Sequence, residues 1–87
     1  MKLKLKGSEA AAGTSTTNGS NVGTATLVRV HNAGDTRRLV TLETVANVTI
    51  GTFTIGANAT ELLDKTSTDE IFAANAEVKL VGVAYYS

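Results

Sequence analysis

The chain has no cysteine and no proline among its 87 residues. The lack of cysteine excludes a disulfide framework and a thiolate metal site, and the lack of proline leaves the loops without a residue of fixed φ. A single domain of this length buries only about 60 to 65% of the surface of its unfolded chain. Since 43% of the residues are apolar and 18% are charged, apolar surface is available for association with other subunits, and an oligomer or larger assembly is expected.

The chain also lacks a charge excess and a long apolar run. Eight basic and eight acidic residues give a formal charge of zero. This balance argues against nucleic acid and anionic membranes as partners, because both require a strong positive field. No apolar run reaches membrane-spanning length, and the first residues, MKLKLKGSEAAAGTS, contain no signal-peptide core.

Residues capable of catalysis are few. His31 is the only histidine, and one imidazole without cysteine cannot build a transition-metal site within the chain. Serine and threonine are abundant, but nothing in the sequence places a base beside one of them. No glycine-rich phosphate motif precedes a helix, and the acidic residues do not have EF-hand spacing. The sequence therefore predicts no catalytic, cofactor or metal site, and a protein that is not an enzyme, with His31 as a polar residue at a strand end.

The strongest positive signal is the two-residue period of β-strands. The segment Val48 to Lys65, VTIGTFTIGANATELLDK, reads as two paired strands of a β-meander about a turn at residues 55–58. The apolar positions change phase at Gly51, which predicts a β-bulge there. The alternate face is rich in threonine and carries no acid, imidazole or thiol.

The flanking segments continue this pattern. Residues 24–44 are expected to form a hairpin whose interior contains Val28, Val30, Val40 and Leu42. Residues 66–76 are compatible with a helical turn or a short strand, and the strand-type neighbours favour a short strand or turn. Residues 77–86 form a strand with apolar residues on both faces in its second half, so it is either central or covered by another subunit.

The first residues divide into a strand and a long polar segment. Residues 1–6 alternate leucine with lysine, which predicts an edge strand with one face towards a core and its lysines in water. Residues 7–23 are rich in glycine, serine, threonine and asparagine, which predicts a mobile loop, either a solvated tether or an interaction arm. Residues 24–87 form the β core. The expected fold is a single all-β domain, a small antiparallel β-sandwich or barrel of about six to eight short strands.

Three pairs of residues are candidates for an interface. The lysines either protect the edge of a strand or form a basic arm for an anionic partner, and the tyrosines suit the rim of a core or an interface. The adjacent arginines point to opposite faces of a strand, where one can pair with Glu43 or with a carboxylate of a neighbouring subunit. The candidates are Lys2 and Lys4, Arg37 and Arg38, and Tyr85 and Tyr86.

The order of these parts resembles small virion structural proteins of tailed bacteriophages, particularly marine and cyanobacterial phages. The resemblance covers almost the whole chain: MKLKLKGS, the Ser/Thr/Asn-rich stretch, ATLVRVHNAG, VTIGTFTIGANATELLDK and TDEIFAANAEVKLVGVAYYS. It implies a capsid decoration or cement protein that binds the major capsid protein and copies of itself, as trimers or another symmetric cluster. It also implies location on the virion, after assembly in the cytoplasm of the bacterial host.

Two alternatives stay open at this stage. A tail or neck component of the virion fits the same features. A small β-sandwich that binds glycans belongs to a different class, but such a module needs an exposed aromatic platform, whereas aromatic residues make up 5% of the chain and tryptophan is absent.

Overall fold

A computed structural model describes residues 2–86, and for Tyr86 the description is limited to the backbone. Two antiparallel sheets pack face to face, which confirms the expected all-β class. The strands are β1 (Lys2–Leu5), β2 (Ala10–Ala11), β3 (Leu27–Asn32), β4 (Arg38–Glu43), β5 (Thr49–Ile55), β6 (Thr60–Asp64), β7 (Glu70–Ala73) and β8 (Val78–Tyr86). A single 3₁₀ turn covers Thr16–Asn18.

The first sheet is built around β8. Its strand order is β1-β8-β3-β6, and β2 also pairs with β8. Of the two alternatives for residues 77–86, a central strand or a strand covered by another subunit, the structure shows the central strand. One glycine in this strand has a clear structural reason, because a Cβ added at Gly82 would lie 2.8 Å from the Cβ of Ala25. The missing side chain lets the segment that precedes β3 cross β8 closely.

The second sheet has the order β5-β4-β7. The register between β4 and β5 shifts between Leu42 and Glu43, where Leu42 pairs with Gly51 and Glu43 pairs with Thr49. Ile50 is thus the extra residue, and the β-bulge predicted at Gly51 is confirmed to within one position. β7 confirms the preference for a short strand over a helical turn within residues 66–76.

Two expected strand pairings are wrong. β3 and β4 do not form a hairpin, because β3 pairs with β6 and β8 whereas β4 pairs with β5 and β7. Likewise β5 and β6, the two strands of the segment Val48 to Lys65, lie in different sheets. In both cases the chain crosses from one sheet to the other, so successive strands face each other across the core.

Asn32 accounts for the first crossing. Its side chain is fully buried and donates hydrogen bonds to the carbonyl oxygens of Thr36 (2.7 Å) and Ile55 (3.4 Å). The side-chain oxygen Oδ1 of Asn32 accepts a hydrogen bond from the backbone N–H of Gly34 at 3.0 Å. These bonds satisfy the backbone of a corner that leaves the sheet, where a hairpin would have used strand-to-strand bonds.

The core between the sheets is aliphatic and mostly β-branched. The residues expected inside the hairpin do face inwards, but from opposite sheets, since Val28 and Val30 belong to the first sheet and Val40 belongs to the second. The buried core residues are Ala12, Ala25, Val28, Val30, Val40, Ile55, Ile71, Ala73, Val78 and Leu80.

The segment 7–23 is hydrogen-bonded to both sheets. β2 pairs with β8, and Gly13 and Ser20 form bridges with β7. Ala12 is buried in the core and Val22 packs against it. The segment expected to be a loop outside the β core therefore contributes Ala12 and Val22 to the core, and its mobility in solution stays a prediction.

Candidate interaction surfaces

The leucines of β1 do not face the core. Leu3 pairs with Tyr85, and Leu5 pairs with Val83, whereas the core residue Leu80 lies on the opposite face of β8. Leu3 is 44% exposed and Leu5 is 63% exposed. The prediction that one face of this strand meets a core is thus wrong, because the register on β8 turns the leucines to the outside of the sandwich.

These leucines belong to an apolar area on the outer face of the first sheet, which we call the outer patch. Its residues are Leu3, Leu5, Val81, Val83 and Tyr85. The two valines are nearly inaccessible, at 4% and 2%, whereas the leucines and Tyr85 remain open to solvent. In the outer patch, the two valines are therefore packed beneath their neighbours, whereas the leucines and Tyr85 form its solvent-facing surface.

A shallow groove of about 620 Å³ runs along this patch. Leu3, Leu5 and Val81 line its apolar side. The opposite side is polar, and there Nη1 of Arg29 donates a hydrogen bond to a carboxylate oxygen of Glu9 at 3.1 Å. An apolar floor with a charged rim is the arrangement found in protein interfaces.

The interface candidates of the first sheet divide between its two faces. Tyr85 is 40% exposed and lies on the outer patch beside Leu3. Lys2 and Lys4 are exposed and point to the opposite face, since Lys4 pairs with Ala84 on the side of β8 that includes Leu80. The side chain of Tyr86 lies outside the described residues.

The arginine candidates lie at the start of the second sheet and do not join the outer patch. Arg37 is exposed and precedes β4. Arg38 is half-buried and forms an ion pair with Glu77, so of the carboxylate partners expected for one of the arginines, the structure does not show Glu43. Glu43 is instead buried inside the protein, where Thr16 donates a hydrogen bond to its Oε1.

Two other polar side chains have structural partners. Nδ1 of His31 lies 2.8 Å from the hydroxyl of Thr60, on the neighbouring strand β6. Lys65 is buried, and its ammonium donates hydrogen bonds to the carbonyl oxygens of Thr66 (3.2 Å) and Ser67 (3.3 Å). Burial lowers the pKa of Lys65 from its ordinary value of 10.5, and the nearby carboxylate of Asp69 opposes this shift.

Neither a metal cluster nor a membrane helix was found in the part of the chain that the structure describes. Residues 2–86 contain no group of three or more His, Cys, Asp or Glu side chains placed to hold a metal ion. They also contain no helix long and apolar enough to span a bilayer.

Comparison with protein-family models, curated proteins and solved structures finds no match.

Proposed function

We propose that this chain is a non-enzymatic structural subunit of a phage virion, most specifically a capsid decoration protein that binds the major capsid protein. The observation that carries the proposal is the outer patch, an apolar area on a sheet face in which Leu3, Leu5 and Tyr85 remain open to solvent. The resemblance in the order of the sequence segments supplies the virion as its setting.

The outer patch suits a protein partner better than a small molecule. Its open residues, Leu3, Leu5 and Tyr85, lie on paired strands, so they form one continuous area. Complete burial of a fully exposed leucine contributes about 1.5 to 3 kcal/mol. Because these three residues are only 40 to 63% exposed, a partner that covers them gains roughly half of that amount for each. Aromatic and aliphatic residues at the centre of an interface, with an ion pair at the rim, are typical of such contacts.

The protein composition of purified phage particles tests whether the chain is a component of the virion. We expect the chain in intact heads in a fixed ratio to the major capsid protein, as measured by quantitative mass spectrometry. Presence in tails or necks alone would favour the alternative of a tail or neck component. Absence from the particle would refute a virion role altogether.

Two matched substitutions test the surface. Leu5→Lys places a charge on the outer patch and is expected to abolish incorporation into heads, because a partner would have to bury the ammonium group. Val45→Lys is the control, since Val45 is 66% exposed, close to the 63% of Leu5, and lies in the turn between β4 and β5. Equal incorporation of both variants would contradict the assignment of the outer patch to the capsid.

A further inference from the structure

We infer that the free edge of β5 binds a second copy of itself, so that two protomers form a two-fold symmetric dimer with one continuous six-stranded sheet. β5 pairs with β4 along one edge, and no other described strand pairs with its second edge. Residues 49–52 and 54 are exposed and Phe53 is half-buried, so the edge is open to another chain.

This edge lacks the charged residues and the proline that often prevent edge-to-edge pairing, and its one protective feature is the bulge at Ile50, near its start. β5 is seven residues long, TIGTFTI, and has neither a charged residue nor a proline. The uncharged sequence extends in both directions, from Thr44 to Thr60. A long, uncharged edge strand rich in β-branched residues is a ready template for strand addition.

The other three edges of the two sheets are less suitable. The edge of β7 is occupied by bridges from Gly13 and Ser20. β1 is four residues long and carries two lysines, and β6 is five residues long and carries Glu61 and Asp64. Short strands and charged side chains are the usual protection of an edge.

Because β5 provides the one suitable open edge among the described strands, the partner that binds it can be identified. Strand addition between copies of one chain needs two open edges, one on each copy. When a single edge is open, it must meet the same edge of the other copy, which requires an isologous, antiparallel contact about a two-fold axis. Such a contact closes as a dimer and does not propagate into a fibre.

The sequence of β5 is complementary to itself in this arrangement. Thr52 is the midpoint of the strand, so a two-fold axis at Thr52 places Gly51, Thr52 and Phe53, on the regular side of the bulge at Ile50, opposite the same three residues of the other copy. Phe53 of each copy then lies opposite Gly51 of the other, where an aromatic ring can cover the bare backbone of the glycine. No pair in this register brings two charges together.

Substitutions at the proposed axis test the inference in the full-length protein. Thr52→Lys is expected to convert a dimer into a monomer, measured as mass by sedimentation equilibrium, because two lysines would lie directly opposite each other. Thr52→Glu is expected to act in the same way. Mixing the two variants is expected to restore the dimer as a heterodimer, since the opposed charges then attract. Thr68→Lys, in an exposed loop between β6 and β7, is the control and is expected to remain dimeric.

Hydrogen exchange locates the contact independently of any substitution. Amides of Thr49 to Thr54 are expected to exchange more slowly as the protein concentration rises, with the protected amides at alternate residues. A monomer at all concentrations, or failure of the mixed variants to re-associate, would overturn the inference. Concentration-dependent protection of β1 and β6 would also overturn it, since it would indicate head-to-tail pairing of the basic edge with the acidic edge.

This inference does not depend on a virion role. A dimer held by β5 in a protein absent from phage particles would refute the proposed function alone, whereas a monomer bound to capsids through the outer patch would refute the β5 contact alone.

Discussion

Replacing Glu43 by glutamine is expected to stabilise the protein, although the change removes a fully buried native side chain. Glu43 is 0% exposed, and its Oε1 accepts a hydrogen bond from the hydroxyl of Thr16. Its Oε2 is buried without a hydrogen-bond partner among the described residues. Neither ion pair found in residues 2–86 includes Glu43.

A second acidic side chain lies opposite Glu43. Glu43 lies directly opposite Glu70 in the register of β4 and β7. A Cβ added at Gly19 would be 2.7 Å from Oε2 of Glu43 and 3.3 Å from Oε1 of Glu70, so the two carboxyl groups flank this glycine. Two acidic side chains opposite each other on neighbouring strands destabilise a sheet.

The size of the effect follows from these contacts. A buried polar atom without a partner costs about 1 to 3 kcal/mol. Glutamine has the same shape, retains an oxygen for Thr16, and replaces a charged group opposite Glu70 by a neutral amide that can donate a hydrogen bond. We therefore expect Glu43→Gln to raise the free energy of unfolding by about 1 kcal/mol, and the Tm by about 4 to 8 °C per kcal/mol for a domain of this size.

Thermal unfolding by circular dichroism, with urea denaturation as a second measurement, tests this expectation. Glu61→Gln is the matched control, because Glu61 is exposed at the edge strand β6 and its replacement should change stability by less than about 0.5 kcal/mol. If Glu43→Gln lowers the Tm while Glu61→Gln leaves it unchanged, the reasoning is refuted. A donor or cation would then have to reach Oε2 in solution.

Two further predictions concern the polar segment and the buried lysine. Gly13→Ala would place a Cβ 2.0 Å from the backbone oxygen of Asn18 and is expected to lower stability by about 1 to 3 kcal/mol. Gly7→Ala meets nothing within 4 Å and should be neutral in the same urea titrations, whereas equal stability of both variants would support a mobile segment. Because burial lowers the pKa of Lys65, the unfolded chain binds more protons below pH 10.5, so stability should rise as pH increases from the lowered pKa to 10.5. Lys65→Met should lose this rise in urea titrations over that pH interval, and an unchanged slope would contradict it.

The sequence was sufficient to predict the all-β class of the fold and the positions of most strands. The two-residue period identifies strands wherever one face is buried. The two apolar faces of residues 77–86 allowed either a central strand or one covered by another subunit, and the structure shows the first. The phase change at Gly51 located the bulge, because an inserted residue shifts every later side chain to the other face.

The two-residue alternation of apolar side chains does not show which strands pair with each other. Neighbouring strands in sequence usually pair, which favoured a hairpin at residues 24–44, but a period of two does not say which sheet a strand joins. A signal was nevertheless present, because Asn32 follows Val28 and Val30 on the inward face of β3. A polar side chain at an inward position needs buried partners, and here those partners form the corner between the sheets.

The outer patch was missed for a related reason. The alternation of Leu3 and Leu5 with lysine indicates two unlike faces, but which face is covered depends on the register with β8. Because β8 has buried residues on both faces, either orientation of β1 gives its leucines apolar neighbours. The structure selects the outer face, and only there do the leucines remain open to a partner.

The two proposed contacts use different sheets, and this separation allows both at once. The outer patch lies on β1 and β8 of the first sheet, whereas β5 belongs to the second. A dimer joined through β5 would therefore carry two uncovered copies of the outer patch, and a lattice that repeats its own subunits could engage both. The second engagement would then be intramolecular, so modest affinity at each patch would give firm attachment without a highly apolar surface. Each single contact could then be weak, which is consistent with a chain that has no net charge and few aromatic residues.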